Sequence, residues 1–383
     1  MNPGPRSLHV ISSLSLGAGG PTQSVTQLCE ALNAQGAPAE IATVESPDHL
    51  IWEGRTPIHT FPEAWPAKLR RSPALKAFIT RELPRFDLVH VHGLWQWPGL
   101  YARQAAQNLG IPLVISPRGM LEPWSLQQRG LFKRTALALW ERKNLRTAAL
   151  LHATGEPEAH QILSLGFRQP MSVIPNGVNI PDLPDPPLSS ATPRRVLFLS
   201  RFHPKKGVDV LLQAWSALQE RHPDWVLDLY GPDEGGYRVE MKHLAASLGM
   251  TGSRILFGDA ITGAAKRDLF QSASLLVLPT HSENFGNVVA EALAHGLPVI
   301  TTQGTPWQGL ESHGCGWWIP FGKAPLEQAL ELALALSPET LRTMGAQGRT
   351  WMTTTHTWNA IAQSMIQAYQ SLPFRQDRAE FLL

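Results

Sequence analysis

The sequence predicts an α/β protein of two doubly wound, Rossmann-like domains, each a parallel sheet with helices on both faces. Three observations predict it. Short continuous apolar runs alternate with helical patterns along the whole chain, as buried parallel strands and their crossovers do. The strand series restarts after a Pro- and Ser-rich stretch, IPDLPDPPLSSATPRR from Ile180 to Arg195, which reads as a linker. The length, 383 residues, suffices for two domains of ordinary size. The expected boundaries are 1–185 for the N-terminal domain and 190–357 for the C-terminal one. The last segment, about 358–383, begins with a long amphipathic helix that is expected to return to the first domain.

In the first half the strands are read, in order, at LHVISSL, EIATV, LVHVHG, PLVISPRG, LLHATG and MSVIPNG. In the second half they are read at RVLFLSR, WVLDLYG, RILFGD, LLVLPT, PVITT and GWWIP. Each is rich in Val, Ile, Leu or aromatic residues, and most end in the Gly, Pro, Ser or Asn of a turn. Sheets of this kind bind ligands beyond the carboxyl ends of their strands, so the segments after the strands are where chemistry is expected.

Composition narrows the function. A hydrophobic fraction of 43% with 17% charged residues describes a globular chain. The net charge of +2 leaves no global field that would point to nucleic acid. Cys29 and Cys315 are the only cysteines, which make neither a zinc cluster nor a disulfide framework and suit a reducing compartment. The start, MNPGPRSLHVISSL, lacks the basic and apolar regions of a secretion signal, and no apolar run approaches the roughly 20 residues of a membrane span. A cytoplasmic location is expected. Charge is nonetheless uneven: Phe61 to Leu150 carries 14 basic and 5 acidic residues, a net +9. Two stretches there, WPAKLRRSPALKAFITREL and LFKRTALALWERKNLR, combine Trp and Leu with Lys and Arg in helical patterns. That composition suits helices lying on anionic lipid, and makes the inner face of the cytoplasmic membrane a candidate partner.

Four segments carry candidate chemistry. After the first strand, SLGAGGPTQSVTQLCEAL places Gly17, Gly19 and Gly20 before a helix N-terminus, where backbone approaches an anion closely. The alternative is a plain strand-to-helix turn. A dinucleotide fingerprint would need Gly where Thr22 stands. FDLVHVHGLWQWPGL puts His90 and His92 on one strand face, with His92 at the strand end; no Asp, Glu or Cys of this stretch joins them on that face to complete a metal site. Trp95, Trp97 and Trp124 are read as acceptor-stacking or core residues alike. RVLFLSRFHPKKGVDVLLQAW sets Arg201, Lys205 and Lys206 at a strand end, ahead of Gly207 and a helix; such cations suit a diphosphate, and a solvated basic loop is the alternative. Finally, Glu283 lies in the loop after LLVLPT, and Phe285-Gly286-Asn287 opens a helix that Gly296 and Pro298 close. Glu291 lies two turns into that helix among Val288, Ala292, Leu293 and Ala294, where a carboxylate needs a partner.

Together these segments resemble the retaining nucleotide-sugar glycosyltransferases of GT-B fold, family four (group 1). The most specific element is Glu-x7-Glu, Glu283 and Glu291, with FGN between them. Arg201 with Lys206-Gly207, the Gly19-Gly20 loop and the HxHG strand end follow, and the match spans nearly the whole chain. SPRGMLEPW and GTPWQGLESHGCGWW resemble members that build bacterial surface polysaccharides. Glu283-Asn284-Phe285-Gly286 departs from the EGFG of many relatives, which puts sugar selection in question but not the fold.

The resemblance implies two domains facing across a cleft. It implies that Arg201 and Lys206 neutralise the diphosphate of a nucleotide-sugar donor, helped by the amides of Phe285, Gly286 and Asn287. Glu291 would take the ribose hydroxyls, and Glu283 would stand nearer the transferred sugar. Gly19 and Gly20 would close on phosphate or acceptor, and His92 would contact the donor sugar. It implies no metal and no other cofactor, because fixed cations take the charge of the leaving diphosphate. It implies hexosyl transfer with retention to a glycan or polyprenyl-linked acceptor in lipopolysaccharide, O-antigen or exopolysaccharide assembly. Neither glutamate is expected to be a covalent nucleophile. The rival readings are a nucleotide-sugar 2-epimerase of similar architecture and an inactive sugar-nucleotide-binding protein. The nucleotide base, expected to be read by backbone near Gly258 to Ile261, is not determined by the sequence.

Overall fold

The computed structural model describes residues 4–15, 19–48, 52–127, 133, 135–182, 193–250 and 252–374. The chain forms two compact units, Met1–Gly177 with Trp358–Leu383, and Val178–Thr357.

The first unit contains β1 (Ser7–Ile11), β2 (Ala39–Val44), β3 (Ile58–Phe61), β4 (Leu88–His92), β5 (Leu113–Ser116), β6 (Leu150–Ala153) and β7 (Met171–Val173). They form one parallel sheet in the order β3-β2-β1-β4-β5-β6-β7. β3 is the strand the apolar pattern does not reveal, because IHTF lies at the sheet edge and is only partly covered. Strand alternation sends Leu8, Val10, Val89 and Val91 to one face, where they pack with Phe78, Ile79 and Ala102. On the other face Ile11, Leu88 and Val114 pack with Val25 and Leu28 of the helix Gly20–Ala34 and with Ile361, Met365 and Tyr369 of the final helix, Trp358–Gln370.

The two basic stretches fold differently from the continuous helices their patterns suggest. In the first, a short 3-10 turn at Ala67–Leu69 is followed by a separate helix, Pro73–Glu82. Ser72 accepts a hydrogen bond from the amide of Leu75 at 3.2 Å, and Pro73, with no amide hydrogen to donate, starts the new helix. In the second, residues 131, 132 and 134 lie outside the described residues, and a π-helical turn at Leu137–Glu141 runs into the helix Arg142–Thr147.

The second unit contains β8 (Arg194–Leu199), β9 (Trp225–Tyr230), β10 (Ile255–Gly258), β11 (Leu275–Leu278), β12 (Val299–Thr302) and β13 (Gly316–Ile319). Its parallel order is β10-β9-β8-β11-β12-β13. Trp215, Trp225, Phe198, Leu276, Val289 and Leu293 form its core. Val178 and Ile180 already pack on that core, so this unit begins ahead of the proline-rich stretch rather than near residue 190. Of the predicted linker, 183–192 lie outside the described residues, and Arg194 and Arg195 belong to β8.

In each sheet the strand order reverses between two central neighbours, β1 and β4 in the first unit and β8 and β11 in the second. The crevice beyond such a pair is where open α/β sheets receive ligands.

Candidate functional site

In the second unit the switch point gathers Lys206 and Glu283. Lys206 follows β8, is 7% exposed, and its Nζ donates to Glu283 Oε1 from the loop after β11. Backbone fixes this meeting. The amide of His281 and the hydroxyl of Thr280 both donate to the carbonyl of Lys205, at 2.8 and 3.0 Å. Gly207 has φ +67, and a Cβ there would stand 2.0 Å from the carbonyl oxygen of Pro279. Only glycine lets the lysine loop lie this close to the end of β11.

The helix Asn287–Ala294 opens beside Glu283. Gly286 occupies its N-cap in the left-handed region, φ 80. Phe285 turns inward, 5% exposed, against Trp307 at 5.0 Å between ring centroids. Trp307 Nε1 donates to the Phe285 carbonyl at 2.6 Å, which sets the start of the helix. Phe285 therefore offers the site backbone only, with Gly286 and Asn287 beside it.

The other predicted residues are placed as follows. Arg201 stands two residues past β8 in an exposed ion pair with Glu234, Nη1 to Oε2 at 2.8 Å. Glu291 pairs with Lys266 of the helix Gly263–Ser272, 2.7 Å from Nζ to Oε2. This corrects the expectation that its partners arrive only with ligand. Lys266 is remote in sequence, and nothing in GAAKRDLF marks it. Gly258 closes β10 where a Cβ would strike the Tyr230 ring at 2.2 Å, so the backbone expected to read the base runs directly over an aromatic face.

In the first unit, Gly19, φ 76, is the N-cap of the helix that Gly20 begins, and Gly17 lies outside the described residues. His92 ends β4 but is buried, 3% exposed. It stands in a chain of polar side chains inside the sheet face that the final helix covers. Arg118 Nη2 donates to His92 Nδ1 at 3.2 Å, and His92 Nε2 lies 2.9 Å from His9 Nδ1. His9 Nε2 lies 3.1 Å from Ser7 Oγ. Arginine can only donate, so the direction runs Arg118 to His92 to His9 to Ser7. A second chain ends on a carbonyl, which can only accept. His152 Nε2 donates to the Ile174 oxygen at 2.8 Å, and Ser116 Oγ lies 2.6 Å from His152 Nδ1. Ser116 in turn lies 2.6 Å from His90 Nε2, and Tyr369 Oη 2.7 Å from His90 Nδ1. The direction is Tyr369 to His90 to Ser116 to His152 to Ile174. Each imidazole is thereby a neutral Nε2–H tautomer, and burial pushes His9 and His152 down to about 3 and His90 and His92 well below their usual range.

His9 is the neighbour the sequence pair lacked: it sits opposite His90 across β1 and β4. Ligand atoms of His9, His90 and His92 lie within 4.8 Å of one another. Every ring nitrogen of the three already has a hydrogen-bond partner, and a metal would have to break these bonds. Trp95, 6% exposed, belongs to the core and offers no stacking face; Trp97 is half-buried, and the Trp124 side chain lies outside the described residues.

Two Rossmann-like units, with a lysine–carboxylate pair and a glycine-capped helix at the switch point of the second, have the construction of the GT-B glycosyltransferases, which use nucleotide-sugar donors. The chain belongs to the group 1, family-four-like glycosyltransferases: residues 179–351 match the family described as glycosyl transferases group 1, and residues 19–177 match the glycosyl transferase 4-like domain. It is 26% identical over 382 residues to phosphatidyl-myo-inositol mannosyltransferase of Mycobacterium leprae, covering 92% of this chain and 93% of the relative. It is 29% identical to D-inositol 3-phosphate glycosyltransferase of Kribbella flavida, covering 78% and 74%. Among solved structures, sucrose-phosphate synthase of Thermosynechococcus elongatus superposes with a TM-score of 0.76 at 23% identity over 95% of this chain and 98% of that one. Anabaena HepE in complex with UDP and glucose superposes with a TM-score of 0.75 at 21% identity, over 96% and 100%. These structural likenesses establish the fold.

Proposed function

We propose that this enzyme moves a hexosyl group from a nucleoside diphosphate sugar, with retention and without a metal, to a glycan or polyprenyl-linked acceptor in bacterial surface polysaccharide assembly. The observation that carries the reading is the buried Lys206 held against Glu283 at the switch point of the second unit. A preorganised cation there acts where negative charge grows as the nucleoside diphosphate departs. The amides of Gly286 and Asn287 add the positive end of a helix to the same purpose. Glu291 takes the ribose hydroxyls, exchanging its bond to Lys266 for them, and Arg201 meets the diphosphate from the solvent side once it leaves Glu234. Attack on the same face as the departing group, with a phosphate oxygen receiving the acceptor proton, retains configuration and needs no covalent glutamate.

The relatives named for phosphatidyl-myo-inositol and D-inositol 3-phosphate support an acceptor hydroxyl on a molecule that carries phosphate, as a polyprenyl-linked glycan does. The neighbour bound to UDP makes uracil the first base to try. A cytoplasmic enzyme at the inner membrane face is favoured by the basic first unit and by Trp65 and Leu139, 86% and 73% exposed. No described helix is long and apolar enough to cross a membrane.

The test is incubation of the full chain with UDP-, GDP-, ADP- and CMP-sugars, with and without a polyprenyl diphosphate glycan. Acceptor-dependent transfer with retained anomeric configuration is expected. Epimerisation of the donor alone would establish the 2-epimerase reading, and absence of turnover in every arm the binding-protein reading.

A further inference from the structure

A loop at the switch point of the first unit is held in a costly form. β4 ends at His92, and Gly93 to Gln96 lead into the helix Trp97–Leu109. Trp95 stands at φ 75, in the left-handed region where a bulky side chain crowds its own backbone. Its ring is buried, and its Nε1 has no hydrogen-bond partner. Strained backbone and unsatisfied buried groups persist only where the surrounding structure holds them, and they gather at ligand sites.

Glu141 does the holding. Its Oε1 accepts from the Trp95 amide at 2.7 Å and from Trp140 Nε1 at 3.1 Å, and its Oε2 accepts from Asn144 Nδ2 at 3.1 Å. The residue is 2% exposed and, among the described residues, in no ion pair: Arg103, the cation that acts on it, donates to Gln107 Oε1 instead. A carboxylate buried without a cation is costly, and an apolar residue would fill the same core at less expense. Glu141 also ends a π-helical turn, a form that concentrates at functional sites. The neighbouring strands repeat the device. Arg118, after β5, is held at φ 58, and Glu158 accepts from the amide of Gly119 at 2.6 Å and, after β6, from that of Thr154 at 2.8 Å. Buried carboxylates thus fix the backbone beyond β4, β5 and β6, on the edge where open sheets receive ligands.

The group this loop has to offer is Gln96. It is half-buried, and among the described residues its side-chain amide has no hydrogen-bond partner. An amide both donates and accepts, as a sugar hydroxyl does. We propose that Gln96 hydrogen-bonds a hydroxyl of a sugar substrate, and that Glu141, acting through the Trp95 backbone, is the positioning residue that sets it there. This deepens the sugar-transfer reading given above and rests on it. The hydroxyl belongs either to the donor sugar or to the acceptor glycan, and the hydrogen-bond chemistry is common to both.

The test is steady-state kinetics of the full chain with the most active donor and acceptor pair of the panel above, with melting temperatures read in parallel. Gln96→Ala is expected to raise the KM of one substrate at least tenfold, to leave the other within twofold, and to leave the melting temperature unchanged, because the amide holds nothing in the fold. Glu141→Met, which removes the acceptor of the Trp95 amide, should raise the same KM at least tenfold and lower the melting temperature. Glu141→Gln should bring that KM back to within about threefold of the parent. Its amide oxygen can keep the Trp95 bond, and its new N–H2 meets Asn144 Oδ1, which is buried without a partner, once the Asn144 amide turns over. A rise in acceptor KM assigns the hydroxyl to the acceptor, and a rise in donor KM assigns it to the donor. Both KM values within twofold of the parent in Gln96→Ala, or an equal rise in both, overturns the proposal whatever kcat does. A lowered melting temperature in Glu141→Met with both KM values unchanged, or no rescue by Glu141→Gln, makes Glu141 a structural residue and overturns its positioning role. A parent without turnover on any pair fells the sugar-transfer reading itself, and the proposal with it.

Discussion

Lys206 and Glu291 are proposed to serve one donor with different duties, and kinetics separates them. Lys206 is proposed to face charge that grows in the transition state, so Lys206→Ala is expected to lower kcat by about 10²-fold or more as well as to weaken the donor. Glu291 is proposed to hold hydroxyls that change little during transfer, so Glu291→Gln should chiefly raise donor KM. Glu283→Gln loses the partner of Lys206 and should lower kcat more than Glu291→Gln does. Steady-state kinetics on the three variants, with circular dichroism as the folding check, decides. An effect of Glu291→Gln on kcat alone, beside an unaffected Lys206→Ala, would reverse the roles. The same assignment of charge to fixed cations predicts turnover unchanged in EDTA, and rescue of a chelator-inactivated enzyme by magnesium or manganese would overturn it.

At the scale of elements, the final helix is tied to the first sheet by Tyr369 as well as by apolar contacts. Its hydroxyl donates to His90 Nδ1 at 2.7 Å, the first link of the chain that ends on the Ile174 carbonyl. Tyr369 is fully buried, so Tyr369→Phe fills the same space and leaves one imidazole nitrogen without its donor. The expected cost is about 1–3 kcal/mol, the penalty of an unsatisfied buried acceptor. Chemical denaturation of the variant measures it; a loss below about 0.5 kcal/mol would mean that the chain is not directional as described. The lysine loop is tied differently, by backbone at Gly207 and Lys205.

For the whole molecule, the buried histidines set a pH limit. An unfolded histidine titrates near 6.5, while His9 and His152 are pushed to about 3 by burial. The folded state binds fewer protons, so their contribution is complete above pH 6.5 and falls by about 1.4 kcal/mol per histidine per pH unit below it. Burial raises Glu141 to about 7 and raises Glu158, which favours the folded state on acidification until about pH 4.5 and partly offsets the loss. Below 4.5 these carboxyls no longer offset it, and acid unfolding is expected between about pH 4.5 and 3. Denaturation followed by circular dichroism from pH 7 to 3 reads this directly, and a flat stability profile below 4.5 would contradict it. The basic first unit makes a separate prediction. Binding to anionic vesicles at low salt should exceed binding to neutral ones and fall as salt rises; equal co-sedimentation with both would remove the membrane proposal.

The sequence alone determined the strand series, the Glu283–Glu291 spacing and the lysine loop, because buried parallel strands and glycine-capped turns are local patterns written in contiguous residues. It did not reveal β3, whose edge position leaves it half covered, nor the break at Ser72–Pro73, where a cap outweighed helical periodicity. The partner of Glu291 and the four-histidine core were out of its reach for another reason. Lys266 lies on a neighbouring helix, and His9, His90, His92 and His152 come from β1, β4 and β6, which only sheet order brings side by side. His92 was expected to meet a ligand because strand ends face the crevice; that its Nδ1 accepts from Arg118 could not be read from the sequence. Hydrogen-bond direction depends on which groups lie at the two ends of a chain, and tertiary structure alone decides that.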